Sequence, residues 1–170
     1  MEFFADDRVI VNPLRIRVEI INEIESSMLL YFTGRSRESA NIINDQIHSA
    51  ESGDDRSLQA MHRVRQSAVE MKEALLKAEI KAMAGILGES WRAKRDMAHS
   101  ISNPLIDEIY SRALAAGALS AKISGAGGGG FMMLFVEPTS KLDVMAALSD
   151  LEGSFYRFHF TKEGAQGWLV

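Results

Sequence analysis

The chain has 170 residues, no cysteine and a formal net charge of −4, with 46% hydrophobic and 25% charged residues. These values fit one domain with a sizeable core. They exclude disulfide and thiolate chemistry and give no global attraction to nucleic acid. No apolar run reaches the ~18 residues of a transmembrane helix, so no membrane partner is expected. Met1 to Arg8 lacks the basic and long apolar regions of a signal peptide. Together with the absence of cysteine, this suits a cytoplasmic location.

Val9, Val11, Leu14, Ile16, Val18 and Ile20 alternate in part with Arg15, Arg17 and Glu19. The spacing predicts a half-buried strand, with Asn12-Pro13 at an edge or bulge. Met28–Phe32 reads as a second strand ended by Thr33-Gly34. A helix is predicted from about Ser36 to Ala50, with Ala40, Ile43, Ile47 and Ala50 turned inward. Between Ser57 and His99 the apolar residues recur at threes and fours: Leu58, Met61, Val64, Ala68, Met71 and Leu75, then Ile80, Met83, Leu87 and Trp91. That stretch is long for one globular helix, so two are expected, broken between Leu76 and Gly88. The acidic pairs Asp6-Asp7 and Asp54-Asp55 read as solvated loop residues. Asn103-Pro104 opens a further helix, Asn103 as cap and Pro104 where no N–H is needed. Leu105, Ile109, Ala113 and Leu114 form its buried face, and Gly117 its stop. Ala121–Ser124 and Phe131–Val136 read as short strands, Ser140–Leu151 as a helix and Ser154–Phe160 as a last strand. Locally paired strands with helices on one face predict an α+β fold, a two-layer sandwich of a mostly antiparallel sheet and helices.

The run Lys122-Ile-Ser-Gly-Ala-Gly-Gly-Gly-Gly-Phe131 stands out. Glycine costs backbone entropy and adds no packing. Such a run is used where a backbone takes unusual dihedrals or comes close to a ligand, and a row of backbone N–H groups suits phosphate. Gly125, Gly127 and Gly130 satisfy G-x-G-x-x-G, but a strand follows rather than a helix, which excludes the dinucleotide fingerprint. Phe131 stands where a Walker A loop needs lysine. The bland alternative is a wide, flexible hairpin turn.

Lys122-Ile-Ser-Gly-Ala-Gly-Gly-Gly-Gly130 resembles the third conserved motif of the GHMP kinases, which include galactokinase, homoserine kinase, mevalonate kinase and phosphomevalonate kinase. Val11-Asn-Pro-Leu14, Tyr31-Phe-Thr-Gly34, Trp91-Arg-Ala-Lys94 and Ser102-Asn-Pro-Leu-Ile-Asp107 narrow the resemblance to the D-glycero-D-manno-heptose 7-phosphate kinases. It spans essentially the whole chain. It implies a GHMP C-terminal domain over residues 1–170, ferredoxin-like with extra helices. The implied activity is ATP-dependent phosphorylation of a sugar phosphate at an anomeric hydroxyl.

The family's Pro-x-x-x-Gly-Leu-Gly-Ser-Ser loop, its catalytic Asp and its Mg²⁺-binding Ser and Glu belong to an N-terminal domain and have no counterpart here. The resemblance therefore implies no catalytic residue in this chain and no activity from it alone. ATP and Mg²⁺ would be bound mainly by that other domain. The implied partners are the sugar phosphate, the chain's own N-terminal kinase domain and, through the uncovered face, a second copy as a homodimer. The alternative is a non-catalytic binding module that retains the fold and the loop.

The resemblance places Ser124, Gly125, Ala126, Gly127, Gly128 and Gly129 next to the phosphates, with the Ser124 hydroxyl as an added donor. On this reading Gly127→Val abolishes ligand binding and leaves the fold. A sugar phosphate also needs a cation, preferably a bidentate arginine. Arg35 and Arg37 follow a strand end, and Lys94 and Arg92 lie on a helix, where solvated positions are equally compatible. Asp107 is placed either to accept from a sugar hydroxyl or to complement its helix dipole. His48, His62, His99 and His159 lack metal-ligand spacing, so no metal site is predicted.

Overall fold

The computed structural model describes residues 1–35, 39–162 and 164–168. Arg37 and the predicted helix start at Ser36 lie outside these residues. The chain opens with β1 (Glu2–Phe3) paired antiparallel to β2 (Val9–Ile10), followed by α1 (Val18–Ser26). This corrects the strand expected across residues 9–20. Pro13 lacks an N–H for a ladder. Ile20, Ile21 and Ile24 instead gather on a helical stripe, with Ile24 buried against Met28 and Phe135.

Next come β3 (Met28–Phe32), α2 (Ser39–Glu51), α3 (Asp55–Leu76), α4 (Ile80–Met97) and α5 (Pro104–Ala115). The expected break between two long helices falls at residues 77–79, where Ala78 takes a φ of +59°. Asp54 is a helix cap rather than only a solvated residue: its carboxylate accepts from the Ser57 N–H at 3.1 Å. Asn103 caps α5 as expected, accepting from the Ile106 N–H at 3.1 Å.

The face of α2 differs from the expected one. Ile42 is buried, whereas Ile43 and Ile47 are each nearly half exposed. α2 lies against the short turn His99–Ile101 and the glycine loop, so Ile42 and Gln46, one turn apart, face inward.

The chain ends with β4 (Ala118–Ile123), β5 (Phe131–Val136), α6 (Lys141–Ala147) and β6 (Ser154–Tyr156). The main sheet runs β4-β5-β3-β6, all antiparallel. With the intervening helices this is a β-α-β-β-α-β, ferredoxin-like arrangement. The predicted last strand shortens to three residues.

Strand alternation divides the core. Tyr31, Ile123, Met132, Leu134 and Val136 meet Ile106, Ile109 and Ala113 of α5 and Val144 of α6. On the opposite face, Met28, Met133 and Phe135 meet Ile24 of α1, Ala74 of α3 and Met83, Ala84 and Leu87 of α4. The extra helices therefore cover the second sheet face, which the sequence reading left bare.

Candidate functional site

The glycine run is the loop of the β4–β5 hairpin, closed by Ser124 N–H donating to Phe131 O at 2.8 Å. In topology it is a hairpin, but it is not free. Gly128 N–H donates to Ile101 O at 2.8 Å, and Gly130 N–H donates to Arg35 O at 2.8 Å. Thr33 N–H donates to Gly130 O at 2.9 Å. Three side chains hold further carbonyls: Asn103 Nδ2 that of Gly128 at 3.0 Å, Gln46 Nε2 that of Ala126 at 3.3 Å, and Lys94 Nζ that of Gly125. Thr33 Oγ1 accepts from Gly130 N–H at 3.1 Å and donates to Arg35 O at 3.1 Å.

Glycine is needed here for two reasons. Gly125, Gly127, Gly128, Gly129 and Gly130 all have φ between +74° and +155°, where side chains are strained. At two positions a Cβ would also strike backbone: 2.8 Å from Ile101 O at Gly127, and 2.6 Å from Arg35 O at Gly129. At Gly125 and Gly130 it would meet open space. Gly127→Val therefore disturbs the packing of Ile101 as well as any ligand, contrary to the expectation that the fold is untouched.

The bonds to Ile101 and Arg35 engage the Gly128 and Gly130 donors. Among the described residues, the N–H groups of Gly125, Ala126, Gly127 and Gly129 have no acceptor. The Ser124 side chain lies on an exposed residue beside them. A cleft of about 570 Å³ opens where Gly128 and Gly129 meet Thr33, Arg35 and the first turn of α5 from Asn103 to Ile106. The positive end of α5 thus faces the same space as the later glycines.

The predicted cations fall at different ends of the loop. Arg35 lines the cleft and also reaches Glu152 at 3.5 Å on the exposed surface. Lys94 sits at the Gly125 end. Burial, and secondarily the charge of Lys122, holds its ammonium below the usual lysine range. Asp107 does not line the cleft: it accepts from Ser102 Oγ at 2.7 Å and pairs with Arg95 at 3.1 Å. Arg92 is exposed on α4.

Sequence reasoning missed Thr33, Gln46 and the second use of Asn103 as anchors of the loop. Asn103 carried a signal as a cap, and Thr33 only as part of Tyr31-Phe-Thr-Gly34. Lys122 was visible merely as the motif's basic residue. Its Nζ donates to Ser90 Oγ at 2.7 Å, and burial pushes its pKa down. Among the described residues, no group of three or more His, Asp or Glu side chains is placed to hold a metal.

The same fold recurs in known proteins. Residues 71–151 match the family model described as GHMP kinases C terminal, and the chain belongs to that family, carrying its C-terminal domain. Over 170 residues it is 45% identical to the D-glycero-alpha-D-manno-heptose 7-phosphate kinase of Campylobacter jejuni, covering 100% of this chain and 50% of the relative. The crystal structure of a D-glycero-D-manno-heptose 1-phosphate kinase from Bacteroides thetaiotaomicron matches with a TM-score of 0.69 at 37% identity, covering 99% of this chain and 44% of that one. The L. major mevalonate kinase, solved with R-mevalonate, shares the fold at 19% identity and a TM-score of 0.66, over 72% of this chain and 37% of that one. The chain spans half the length of the Campylobacter relative.

Proposed function

We propose that this chain is the C-terminal, substrate-side domain of an ATP-dependent sugar-phosphate kinase that phosphorylates the anomeric hydroxyl of a heptose 7-phosphate. The observation that carries the reading is the glycine loop: tied to Ile101 and Arg35, held at positive φ, with four backbone donors left without an acceptor among the described residues. The choice of heptose follows the kinase activity named for the Campylobacter relative.

Phosphoryl transfer depends mostly on positioning and on stabilising charge on the transferring group. Donors already fixed by the fold need no reorganisation when that charge develops. The amides of Gly125, Ala126, Gly127 and Gly129 suit phosphoryl oxygens, with the Ser124 hydroxyl as a fifth donor. Arg35 at the cleft rim and Lys94 at the loop's other end supply cations for the sugar's phosphate. Asp107, held by Ser102 and Arg95, positions the start of α5 and so the floor of the cleft.

Bound ATP supplies the γ-phosphoryl group. The loop donors fit its phosphate end, while nucleotide binding as a whole, the base and Mg²⁺ belong to an N-terminal domain of a longer protein. The described residues hold no cluster of acidic side chains that fits Mg²⁺. No helix among them is long and apolar enough to cross a membrane, and we place the enzyme in the cytoplasm. We assign the exposed apolar side chains of Phe3, Val11 and Val18 to contact with the N-terminal domain or a second copy. Light scattering on the purified chain separates these.

The test is sugar-dependent ADP release with D-glycero-D-manno-heptose 7-phosphate, run on the protein from the complete reading frame and on these 170 residues alone. The complete protein is expected to turn over and yield a 1-phosphate by ³¹P NMR, and the 170 residues to be silent. A complete protein that binds the sugar phosphate without turnover would favour the non-catalytic module.

A further inference from the structure

Ser90 and Lys94 lie one turn apart on α4 and share the side that meets β4 and the start of the glycine loop. Lys122 reaches from β4 to Ser90 Oγ, while Lys94 holds the Gly125 carbonyl. The two ammonium groups therefore lie on the same side of α4, near enough for the charge of Lys122 to act on Lys94. Neither has a carboxylate partner among the described residues. The acidic side chains nearest in sequence and packing are engaged by arginines: Glu89 by Arg63, Asp96 by Arg56 and Asp107 by Arg95.

Two half-buried cations without a counter-ion cost stability. Burial lowers the pKa of both, consistent with an uncompensated pair. Each ammonium has three donors and uses one, so two remain on each. A phosphoryl group, with several charged oxygens and charge-assisted bonds of about 2.8 Å, offers acceptors to both ammonium groups at once. The amides of Gly125, Ala126 and Gly127, free of acceptors among the described residues, follow directly in the chain.

We infer that Lys94, Lys122 and the Gly125–Gly127 amides form a subsite for one phosphoryl group, with Lys122 as a ligand-binding cation rather than a structural one. This rests on the phosphate reading of the loop and supplies its counter-charge. It lies at the Gly125 end, apart from the cleft that Arg35 lines. The phosphoryl group comes either from a polyphosphate chain or from a sugar phosphate monoester.

The ¹⁵N-labelled chain is titrated with tripolyphosphate and, separately, with mannose 6-phosphate, following the amides of residues 125–127. Lys94→Met, Lys122→Met and, as control, Lys162→Met are compared. Each of the first two is expected to weaken binding roughly tenfold or more, the value of a charge-assisted hydrogen bond, and Lys162→Met to leave it unchanged. Preference for tripolyphosphate assigns the subsite to a nucleotide's phosphates, and preference for mannose 6-phosphate assigns it to the sugar's.

Lys122→Met is expected to unfold at or above the wild-type temperature, which a structural lysine would not allow. Undiminished affinity in both lysine variants, or no binding by the wild type, overturns the proposal. Gly125→Ala separates the two readings: loss of affinity there with none in the lysine variants leaves the loop reading standing and removes the lysine subsite.

Discussion

Replacing Gly127 by alanine tests whether the loop is held by packing or only by its own dihedrals. Gly127 has a φ of +122°, and an added Cβ would lie 2.8 Å from Ile101 O and 3.0 Å from Ile101 Cα. Ile101 is fully buried in the core, so its backbone has little room to retreat. The same carbonyl accepts from Gly128 N–H at 2.8 Å. The cost therefore combines dihedral strain of about 1–3 kcal/mol with a weakened buried hydrogen bond of about 0.5–1.5 kcal/mol. A total of roughly 2–4 kcal/mol corresponds to a fall of roughly 5–15 °C in melting temperature for a domain of this size. Gly125→Ala is the internal control: φ is +80° but nothing lies within 4 Å, so only about 1–2 kcal/mol of strain is expected. Urea denaturation of both variants, checked for an unchanged m-value, measures the difference. Equal destabilisation would refute the packing argument and reduce the loop to a dihedral requirement.

Asn103→Ala removes a helix cap and the donor to Gly128 O together and is expected to cost about 1–2 kcal/mol. Asn103→Asp retains the cap, so its effect should show mainly as faster amide exchange in the loop. Lys122→Met is expected to be more stable than wild type at neutral pH. Because burial lowers the lysine's folded pKa below its ordinary value, the unfolded chain holds the proton more tightly, and wild-type stability rises with pH between the two values. The variant's advantage should therefore shrink as pH climbs through that window, which thermal melts across alkaline buffers would follow. Glu25 accepts from Phe160 N–H at 2.7 Å and from His159 Nδ1 at 3.0 Å, and those bonds, the backbone one first, lower its pKa. Glu25→Gln should speed hydrogen exchange at Phe160. The wild-type advantage should be complete above the ordinary glutamate value and vanish as pH falls through Glu25's lowered one.

Much of the fold was legible because its signals are local. The apolar run Phe131–Val136 became β5 at its expected bounds, Asn103-Pro104 opened α5, and Gly117 closed it with a φ of +104°. The long stretch from Ser57 divided as its length required. Where several local structures satisfy the same apolar pattern, tertiary contacts chose. Ile20 and Val18 alternate as a strand would, yet Ile21 and Ile24 give a helix a continuous stripe, and the sheet offered Met28 and Phe135 to cover it.

α2 buries Ile42 rather than Ile43 because the turn at Ile101 and the loop lie on that side. The glycine run announced unusual dihedrals by itself, since composition alone reveals where side chains are not tolerated. It could not announce what holds those dihedrals. Ile101, Arg35, Gln46 and Lys94 are distant in sequence and meet the loop only when α4, α2 and β3 have packed. The same packing brought Lys122, one basic residue in a motif, onto Ser90 of α4, one turn from Lys94. The sequence determined which residues form a glycine-rich loop at positive φ. The tertiary structure decided which of its donors lack an acceptor among the described residues, because hydrogen bonds to distant carbonyls form only once the chain has closed.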